Sequence, residues 1–206
     1  MEGYEALIQA LIKDGYLKSH TIIEAFRKFD RKDFLPEQLH PDAYQNVALP
    51  IGEGQTISQP LVVGFMLEQL HIKSGDRVLE VGTGTGWKTA IMSSLVGENG
   101  QVISIERIAS LHTIAKENLE RLGLGHITLL HGDGSHGYPE GAPFDKIIAG
   151  AAADTLPEVW KAQLKIGGRI VVPVRQSIIV LEKTSKHHFD KKEYFGFNFV
   201  PLVRGK

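Results

Sequence analysis

The sequence predicts an α/β fold in which a doubly wound, mostly parallel sheet lies between layers of helices. From Pro60 to Val174, helical and strand patterns alternate, which is typical of parallel strands joined by crossover helices. The strands in this stretch are short apolar runs, as expected for strands buried on both faces. A glycine-rich turn at 82–86 joins one such strand to a helix, and turns of this kind form ligand pockets at the carboxyl edge of parallel sheets.

Two amphipathic helices are expected before this core, over 4–13 and 20–29. Gly15 ends the first helix, and Ser19 suits the N-cap position of the second. The irregular stretch 33–59 follows, rich in proline and glycine. A loop of this length is typically functional or disordered, and its apolar side chains favour a functional loop.

The alternating core contains four predicted helices and five predicted strands. The helices are expected over 60–70, 89–95, 108–122 and 156–164, and the strands over 78–81, 102–105, 127–130, 144–149 and 169–174. Two further strands, 178–183 and 194–203, flank a polar turn and predict a C-terminal hairpin.

One domain is expected over 1–206, because no linker, repeat or low-complexity segment divides the chain. The N-terminal helices and the irregular stretch form its first part, 1–59. The core that carries the glycine turn covers 60–175, and the hairpin covers 176–206.

The composition excludes several classes of protein. The net charge of −1 leaves no overall basic field for a nucleic-acid backbone. Without cysteine, there can be no disulfide, thiolate nucleophile or thiolate zinc site. The nine histidines show no metal-ligand spacing, so no metal is expected. The sequence has neither a signal-peptide pattern nor an apolar run of about 18 residues, so we expect a cytoplasmic location without a membrane partner.

The glycine turn itself indicates which ligand the pocket binds. A dinucleotide fingerprint, G-x-G-x-x-G, would need a glycine where Trp87 stands. The actual pattern places Glu80 before glycines at 82, 84 and 86, and it resembles motif I of the class I S-adenosylmethionine-dependent methyltransferases. The resemblance implies a Rossmann-like fold with S-adenosyl-L-methionine as the cofactor and S-adenosyl-L-homocysteine as its product.

Three carboxylates, Glu80, Glu106 and Asp133, follow three successive strands. Because the carboxyl ends of parallel strands meet at one edge, we expect these groups around one ligand. Glu106 suits the ribose hydroxyls and Asp133 the adenine amine. Charged residues at strand ends occur in many α/β proteins, but the ordered set with the glycine turn favours a cofactor site. The residues predicted to bind the cofactor are Glu80, Gly82, Thr83, Gly84, Gly86, Glu106, Asp133 and Gly134.

The run at 49–60, LPIGEGQTISQP, resembles the signature of the protein-L-isoaspartate O-methyltransferases. Further stretches resemble the same family, so that the resemblance covers nearly the whole chain. These stretches lie at 31–36, 104–107, 132–134, 143–145, 151–153 and 163–173.

The resemblance implies methyl transfer from S-adenosylmethionine to the free carboxyl of L-isoaspartyl residues in damaged proteins or peptides. The methyl ester then collapses to a succinimide, which initiates repair. The expected partners are therefore age-damaged proteins or peptides that contain isoaspartate, with no nucleic acid and no membrane, and the protein is expected to be a monomer.

The acceptor carboxylate has an ordinary pKa of about 3.5–4, so it is ionised at neutral pH and needs no general base. Orientation is then the main source of rate. Ser58 is the catalytic candidate, since a neutral hydroxyl can hold the carboxylate without competing for the methyl group. Thr56, Ile57 and Ala151 are the other residues predicted to bind substrate. The alternative for Ser58 is an N-cap of the helix that begins near Pro60.

The chain departs from the family pattern in two places. The run Trp87-Lys88-Thr89 follows the glycine turn, and Leu61 replaces a histidine that some members carry. Lys88 is expected to be a solvated helix residue, the alternative being a role in cofactor or substrate preference at the mouth of the pocket. Three other functions remain open: a class I methyltransferase acting on RNA or a small molecule, a non-catalytic sensor of cofactor or damaged peptide, and an NAD(P)-dependent oxidoreductase.

Overall fold

The computed structural model describes residues 3–202. It begins with the two predicted helices, α1 (Tyr4–Lys13) and α2 (His20–Lys28). Their apolar faces are buried, with Ile8 and Phe26 fully enclosed, so the N-terminal helices belong to the same core as the sheet. Two short 3-10 turns follow, at Arg31–Phe34 and Glu37–Asp42.

The remaining elements alternate as predicted, and their bounds are given in chain order. They are β1 (Leu49–Gly52), β2 (Gln55–Ile57), α3 (Pro60–Leu70), β3 (Arg77–Val81), α4 (Trp87–Val96), β4 (Gln101–Glu106), α5 (Ala109–Arg121), β5 (Ile127–His131), β6 (Phe144–Ala149), α6 (Glu158–Ala162), β7 (Leu164–Val174), β8 (Ser177–Lys183) and β9 (Phe189–Phe195). No helix in the described part of the chain is both long and apolar enough to span a bilayer.

The central sheet has seven strands in the order β5-β4-β3-β6-β7-β8-β9. The strands from β5 to β7 are parallel, and β8 and β9 are antiparallel additions at one edge. The predicted fold class, with its C-terminal hairpin, is therefore confirmed. The chain leaves β3 toward β4 and β5 and later returns to β6 on the other side of β3. Ligands bind at such switch points in open α/β sheets.

The central strands are apolar on both faces because helices cover both faces. On β3, Val78 belongs to the cluster that includes the N-terminal helices, whereas Leu79 belongs to the cluster on the opposite face. Both side chains are fully buried, and Trp160 of α6 is enclosed on the second face. This two-sided burial explains why the strands show continuous apolar runs rather than alternation.

The second strand of the C-terminal hairpin was predicted at 194–203, and this position is wrong. The strand is β9, which pairs Ser177 with Phe195 and Lys183 with Phe189. β9 is an edge strand whose side chains are mostly exposed, so it lacks an apolar pattern and its polar residues resemble a turn. The segment 196–202 instead runs back across the sheet, and Val203 lies outside the described residues.

Two further boundaries differ from the prediction. The helix expected over 156–164 is only α6, and Leu164 already pairs with Phe144 as the first residue of β7. The irregular stretch 33–59 contains the antiparallel hairpin of β1 and β2, in which Leu49 pairs with Ile57. Strands of four and three residues are too short to show a periodicity.

Candidate active site

The glycine turn after β3 adopts a backbone conformation that only glycine accepts easily. Gly82, Gly84 and Gly86 have φ values of 86°, 61° and 94°. Side chains other than glycine are strained at such values, because the Cβ approaches the following carbonyl oxygen. The alternating glycines are therefore required by the path of the chain, and they bring backbone close to the space above β3.

A cavity of about 440 Å³ opens at the carboxyl ends of β3, β4 and β6. Its size is within the range of small-molecule sites, and it lies at the switch point of the sheet. The structure brings most of the predicted site residues together in its wall. These residues are Thr56, Ile57, Ser58, Gly82, Thr83, Gly84, Glu106, Asp133, Gly134 and Ala151.

Glu106, the last residue of β4, is buried and held at both carboxylate oxygens. Its Oε2 accepts a hydrogen bond from the Gly84 amide at 2.9 Å, and its Oε1 accepts one from the Ile108 amide at 2.9 Å. Each oxygen has a further lone pair that can accept a hydrogen bond from a ligand. The side chain is thus oriented in advance, beside the glycine turn.

Asp133 and Gly134 form the opposite part of the cavity wall, after β5. The Oδ1 atom of Asp133 accepts a hydrogen bond from the Ser135 amide at 2.9 Å. Gly134 is packed so closely that a Cβ there would lie 2.6 Å from a methyl carbon of Val81. Its carbonyl accepts a hydrogen bond from the indole of Trp160 at 3.0 Å, which fixes this turn against the core.

Glu80 does not reach the cavity wall, although we predicted that it binds the cofactor. It is fully buried behind the glycine turn, where Oε2 accepts hydrogen bonds from Ser104 at 2.7 Å and from Thr89. The hydroxyl of Thr83 lies 2.6 Å from that of Ser104, so this network supports a cavity residue from behind. Gly86 is likewise absent from the wall, and it caps the start of α4.

Lys88 is not the solvated residue that we expected. Only 8% of it is exposed, and its Nζ lies 3.1 Å from Oε1 of Glu80. The expectation was wrong because the side chains of the first turn of α4 are buried, Trp87 and Thr89 among them, while Trp87 and Lys88 also line the cavity. The sequence shows an ordinary lysine near a helix start, and only the packing of α4 under the sheet makes it a buried counter-ion.

Ser58 lies between the end of β2 and the start of α3, with its side chain half-buried in the cavity wall. The N-cap of α3 is Gln59 rather than Ser58, so the capping alternative is wrong for this helix. Within residues 3–202, the Ser58 hydroxyl makes no hydrogen bond. It is therefore available to a ligand in the cavity.

The hairpin of β1 and β2 covers the glycine turn from the other side. A Cβ at Gly84 would lie 3.5 Å from the Cδ1 atom of Ile51, and Oε1 of Glu53 accepts a hydrogen bond from Ser110 of α5 at 2.9 Å. The hairpin thus places the segment that contains Ser58 against the side of the cavity that the glycine turn forms.

The end of the described chain supplies a further part of the wall that sequence reasoning missed. The Ala152 amide donates a hydrogen bond to the Val200 carbonyl at 2.8 Å, and the Leu202 amide donates one to the Ala152 carbonyl at 2.7 Å. Val200, Pro201 and Leu202 line the cavity beside Ala151. Nothing in the sequence signals this contact, because it depends on the return of the chain after β9.

No group of three or more potential metal ligands occurs within residues 3–202. The site consists of the glycine turn after β3, the buried carboxylate of Glu106 at the end of β4, and the carboxylate of Asp133 after β5. With the parallel sheet and its switch point, these features define the class I, Rossmann-like methyltransferases.

A sequence profile of the protein-L-isoaspartate(D-aspartate) O-methyltransferases matches residues 2–206, and the chain belongs to this family. A protein-L-isoaspartate O-methyltransferase from Ignicoccus hospitalis is 46% identical over 98% of both chains. One from Methanothermobacter thermautotrophicus is 38% identical over 98% of this chain and 96% of the relative. A class I methyltransferase for RNA or a small molecule is accordingly not favoured.

Solved structures agree with this assignment. A protein-L-isoaspartate O-methyltransferase superposes with a TM-score of 0.89 and 34% identity, over 98% of this chain and 66% of that longer chain. A structure from Plasmodium falciparum, in complex with S-adenosyl-L-homocysteine, has a TM-score of 0.89 with 24% identity over 100% of both chains. At that identity, the second likeness concerns the fold alone.

Proposed function

We propose that Ser58 orients the acceptor carboxylate in the methyl transfer of this family. The reaction moves a methyl group from S-adenosyl-L-methionine to the free carboxyl of an L-isoaspartyl residue and leaves S-adenosyl-L-homocysteine. The observation that carries the proposal is the position of the Ser58 hydroxyl, without a partner in residues 3–202, in the same cavity as Gly82 and Gly84.

The residues around the cavity suit the cofactor. The glycine turn admits the methionyl part against backbone, Glu106 accepts hydrogen bonds from the ribose hydroxyls, and Asp133 accepts one from the adenine amine. Glu80 acts indirectly in this proposal, by holding Ser104 and thereby Thr83. When bound, S-adenosylmethionine supplies an electrophilic methyl group on its sulfonium sulfur.

The residues on the other side suit a peptide that carries an ionised carboxylate. Because this nucleophile needs no general base, the protein must chiefly orient it. Ser58 donates a hydrogen bond to the carboxylate, Thr56 and the backbone of Ile57 contact the peptide, and Ala151 leaves room for the peptide to approach.

The same proposal covers the wider setting of the protein. Residues 1–206 form one methyltransferase domain that acts as a monomer in the cytoplasm, on age-damaged proteins or peptides. Neither nucleic acid nor membrane takes part. The net charge of −1 supports the absence of a nucleic-acid partner.

The test uses labelled S-adenosylmethionine and two peptides that differ only in an aspartyl or isoaspartyl linkage. We expect base-labile methyl incorporation into the isoaspartyl peptide alone, because only that linkage presents a free α-carboxyl. Equal labelling of both peptides, or of neither, contradicts the proposed substrate.

A further inference from the structure

The side chain of Arg31 is fully buried and makes its hydrogen bonds to main-chain carbonyls. Its Nη1 donates to the carbonyls of Ala43 at 2.9 Å and Gln45 at 3.2 Å. Its Nη2 donates to those of Val47 at 2.8 Å and Ser58 at 3.2 Å. One guanidinium therefore holds four carbonyls of the segment 43–58.

These carbonyls need such a partner because much of the segment has no regular structure. The run 43–48 contains neither helix nor strand, so no ladder satisfies its main-chain groups. Elsewhere the segment is tied by Gln59, whose amide donates to the Asn46 carbonyl at 2.8 Å, and by Tyr44, whose hydroxyl donates to Asp30 at 2.8 Å. Of these ties, only that of Arg31 reaches Ser58 itself.

Arg31 also contacts the cofactor side of the site. Its guanidinium carbon lies 5.6 Å from the ring centre of Trp87, the first residue of α4, which follows the glycine turn and lines the cavity. The Trp87 indole donates a hydrogen bond to the Phe29 carbonyl at 3.0 Å, which fixes the ring. The guanidinium thus lies between the two parts of the site that must be aligned.

The positive charge of Arg31 is held in an unusual way. Burial lowers the pKa of the guanidinium to about 10, and the opposing electrostatic effect comes from the Tyr4 phenol rather than from a carboxylate. The group stays protonated at neutral pH. Its Nε has no partner in the described residues, so the four hydrogen bonds to carbonyls offset the cost of burying this charge without satisfying every donor.

We infer that Arg31 is a positioning residue for methyl transfer. By holding the Ser58 carbonyl together with three carbonyls of the preceding loop, Arg31 sets the distance between the Ser58 hydroxyl and the transferable methyl group. Only a planar fork with several N–H donors can hold four carbonyls at once, and a lysine ammonium cannot reproduce this arrangement. The inference rests on the proposed role of Ser58.

The test compares Arg31→Lys with Arg121→Lys, its matched control. Arg121 is exposed and donates a hydrogen bond to the Asp33 carbonyl at 2.8 Å, outside the cavity. For Arg31→Lys we expect kcat on an isoaspartyl peptide to fall by up to about 100-fold, because small misplacements of a reacting group have such effects. The Kd for S-adenosylhomocysteine, measured by calorimetry, should stay within about twofold, as it should in the control.

A double-mutant cycle separates positioning from a purely structural role. If Arg31 acts through Ser58, then Ser58→Ala should cost much less in the Arg31→Lys background than in the parent protein. Independent effects of the two substitutions would overturn the inference, as would an unchanged kcat. A parallel loss of kcat and cofactor affinity would also overturn it, since that indicates partial unfolding.

Arg31→Gln provides a second variant if the buried lysine prevents folding. Glutamine removes the buried charge and keeps two amide donors, and the same fall in kcat is expected. The unsubstituted protein is assayed alongside. If it methylates no isoaspartyl peptide, the proposed function fails; if it is active and both Arg31 variants match it, only the role of Arg31 fails.

Discussion

At the residue scale, Ser58 shows how a loop residue becomes a functional candidate. Its neighbours determine its position: β2 ends one residue before it, Gln59 caps the next helix, and the Arg31 guanidinium holds its carbonyl. The hydroxyl is left to face the cavity. Since it forms no cap, its removal should affect activity and leave the helix intact.

We therefore expect Ser58→Ala to lower kcat/KM on an isoaspartyl peptide by about 10-fold to 100-fold, because the acceptor loses an orienting donor. The free energy of unfolding should change by less than about 1 kcal/mol, the usual cost of losing a helix cap. Methyl-transfer kinetics and urea unfolding measure the two effects. Ser185→Ala, in the exposed turn after β8, is the control, and equal activity of the two variants would contradict the assignment.

A second prediction concerns the buried ion pair of Lys88 and Glu80. Lys88→Met leaves the fully buried Glu80 carboxylate without its counter-ion, so we expect a destabilisation of about 3–5 kcal/mol. The control is Lys116→Met, because Lys116 lies 3.9 Å from Glu120 with both side chains mostly exposed, and such pairs contribute about 0–1 kcal/mol.

Urea unfolding of both variants measures the difference. The double variant Lys88→Met with Glu80→Gln should recover much of the lost stability, because no unpaired charge then remains buried. Equal destabilisation by the two lysine substitutions would show that the burial of Lys88 has no energetic consequence.

At the element scale, the turn between β3 and α4 divides its glycines between two tasks. Gly82 and Gly84 line the cavity, whereas Gly86 is outside the cavity wall and is the N-cap residue that precedes α4. A Cβ at Gly86 would lie 3.3 Å from a side-chain carbon of Leu119 on α5. The third glycine of the motif is thus needed for the path of the chain and for helix packing rather than for ligand contact.

Gly86→Ala should accordingly destabilise the protein by at least about 1–2 kcal/mol, the cost of a side chain at a left-handed position. The folded fraction should still bind S-adenosylhomocysteine with little change in Kd. Gly125→Ala is the control, because a Cβ there meets nothing within 4 Å and the position has no positive φ. Thermal unfolding and calorimetry test this, and a selective loss of affinity at unchanged stability would refute it.

At the scale of the whole molecule, one set of stabilising contacts, around Asp145, lies at the opposite edge of the sheet from the active site. The cavity lies at the carboxyl edge, whereas Asp145 joins three strands near the amino edge. Its carboxylate accepts hydrogen bonds from the Arg77 amide at 2.9 Å and from Lys165 at 2.8 Å. These contacts tie β3, β6 and β7 together away from the chemistry.

This arrangement predicts that the stability of the protein depends on pH through Asp145, a residue that lies away from the cavity. Burial alone would raise the pKa of the Asp145 carboxyl, but the hydrogen bonds from Lys165 and Arg77 outweigh it and hold that pKa below its ordinary value of 3.8. The contribution of the carboxylate to stability is therefore fully present above pH 3.8 and is lost as the pH falls through the lower, folded-state pKa.

We expect Asp145→Asn to be less stable than the parent by about 1–2 kcal/mol at pH 7. The gap should shrink below about pH 4, where the parent loses the same charge. Urea unfolding between pH 3 and pH 7 tests this, with the exposed Asp154→Asn as the control. A gap that is constant down to pH 3 would contradict the explanation.

Local rules of chain conformation allowed the sequence alone to predict much of the molecule. The parallel core follows from continuous apolar runs that alternate with helical patterns, and the backbone conformation of the turn follows from the glycines at 82, 84 and 86, because few other residues adopt such φ values. Glu106 and Asp133 could be assigned to the cavity because the ends of parallel strands always meet at one edge. Such features depend on neighbours in sequence or on a general property of sheets.

Only the tertiary structure decided the features that depend on contacts between distant segments. Lys88 is a counter-ion because α4 is enclosed, and Arg31 reaches Ser58 because the intervening chain folds around it. Val200 lines the cavity because the chain returns to Ala152 after an edge strand that resembles a turn. In each case the side chain or segment has no local pattern, since its partner is selected by packing and not by spacing along the chain.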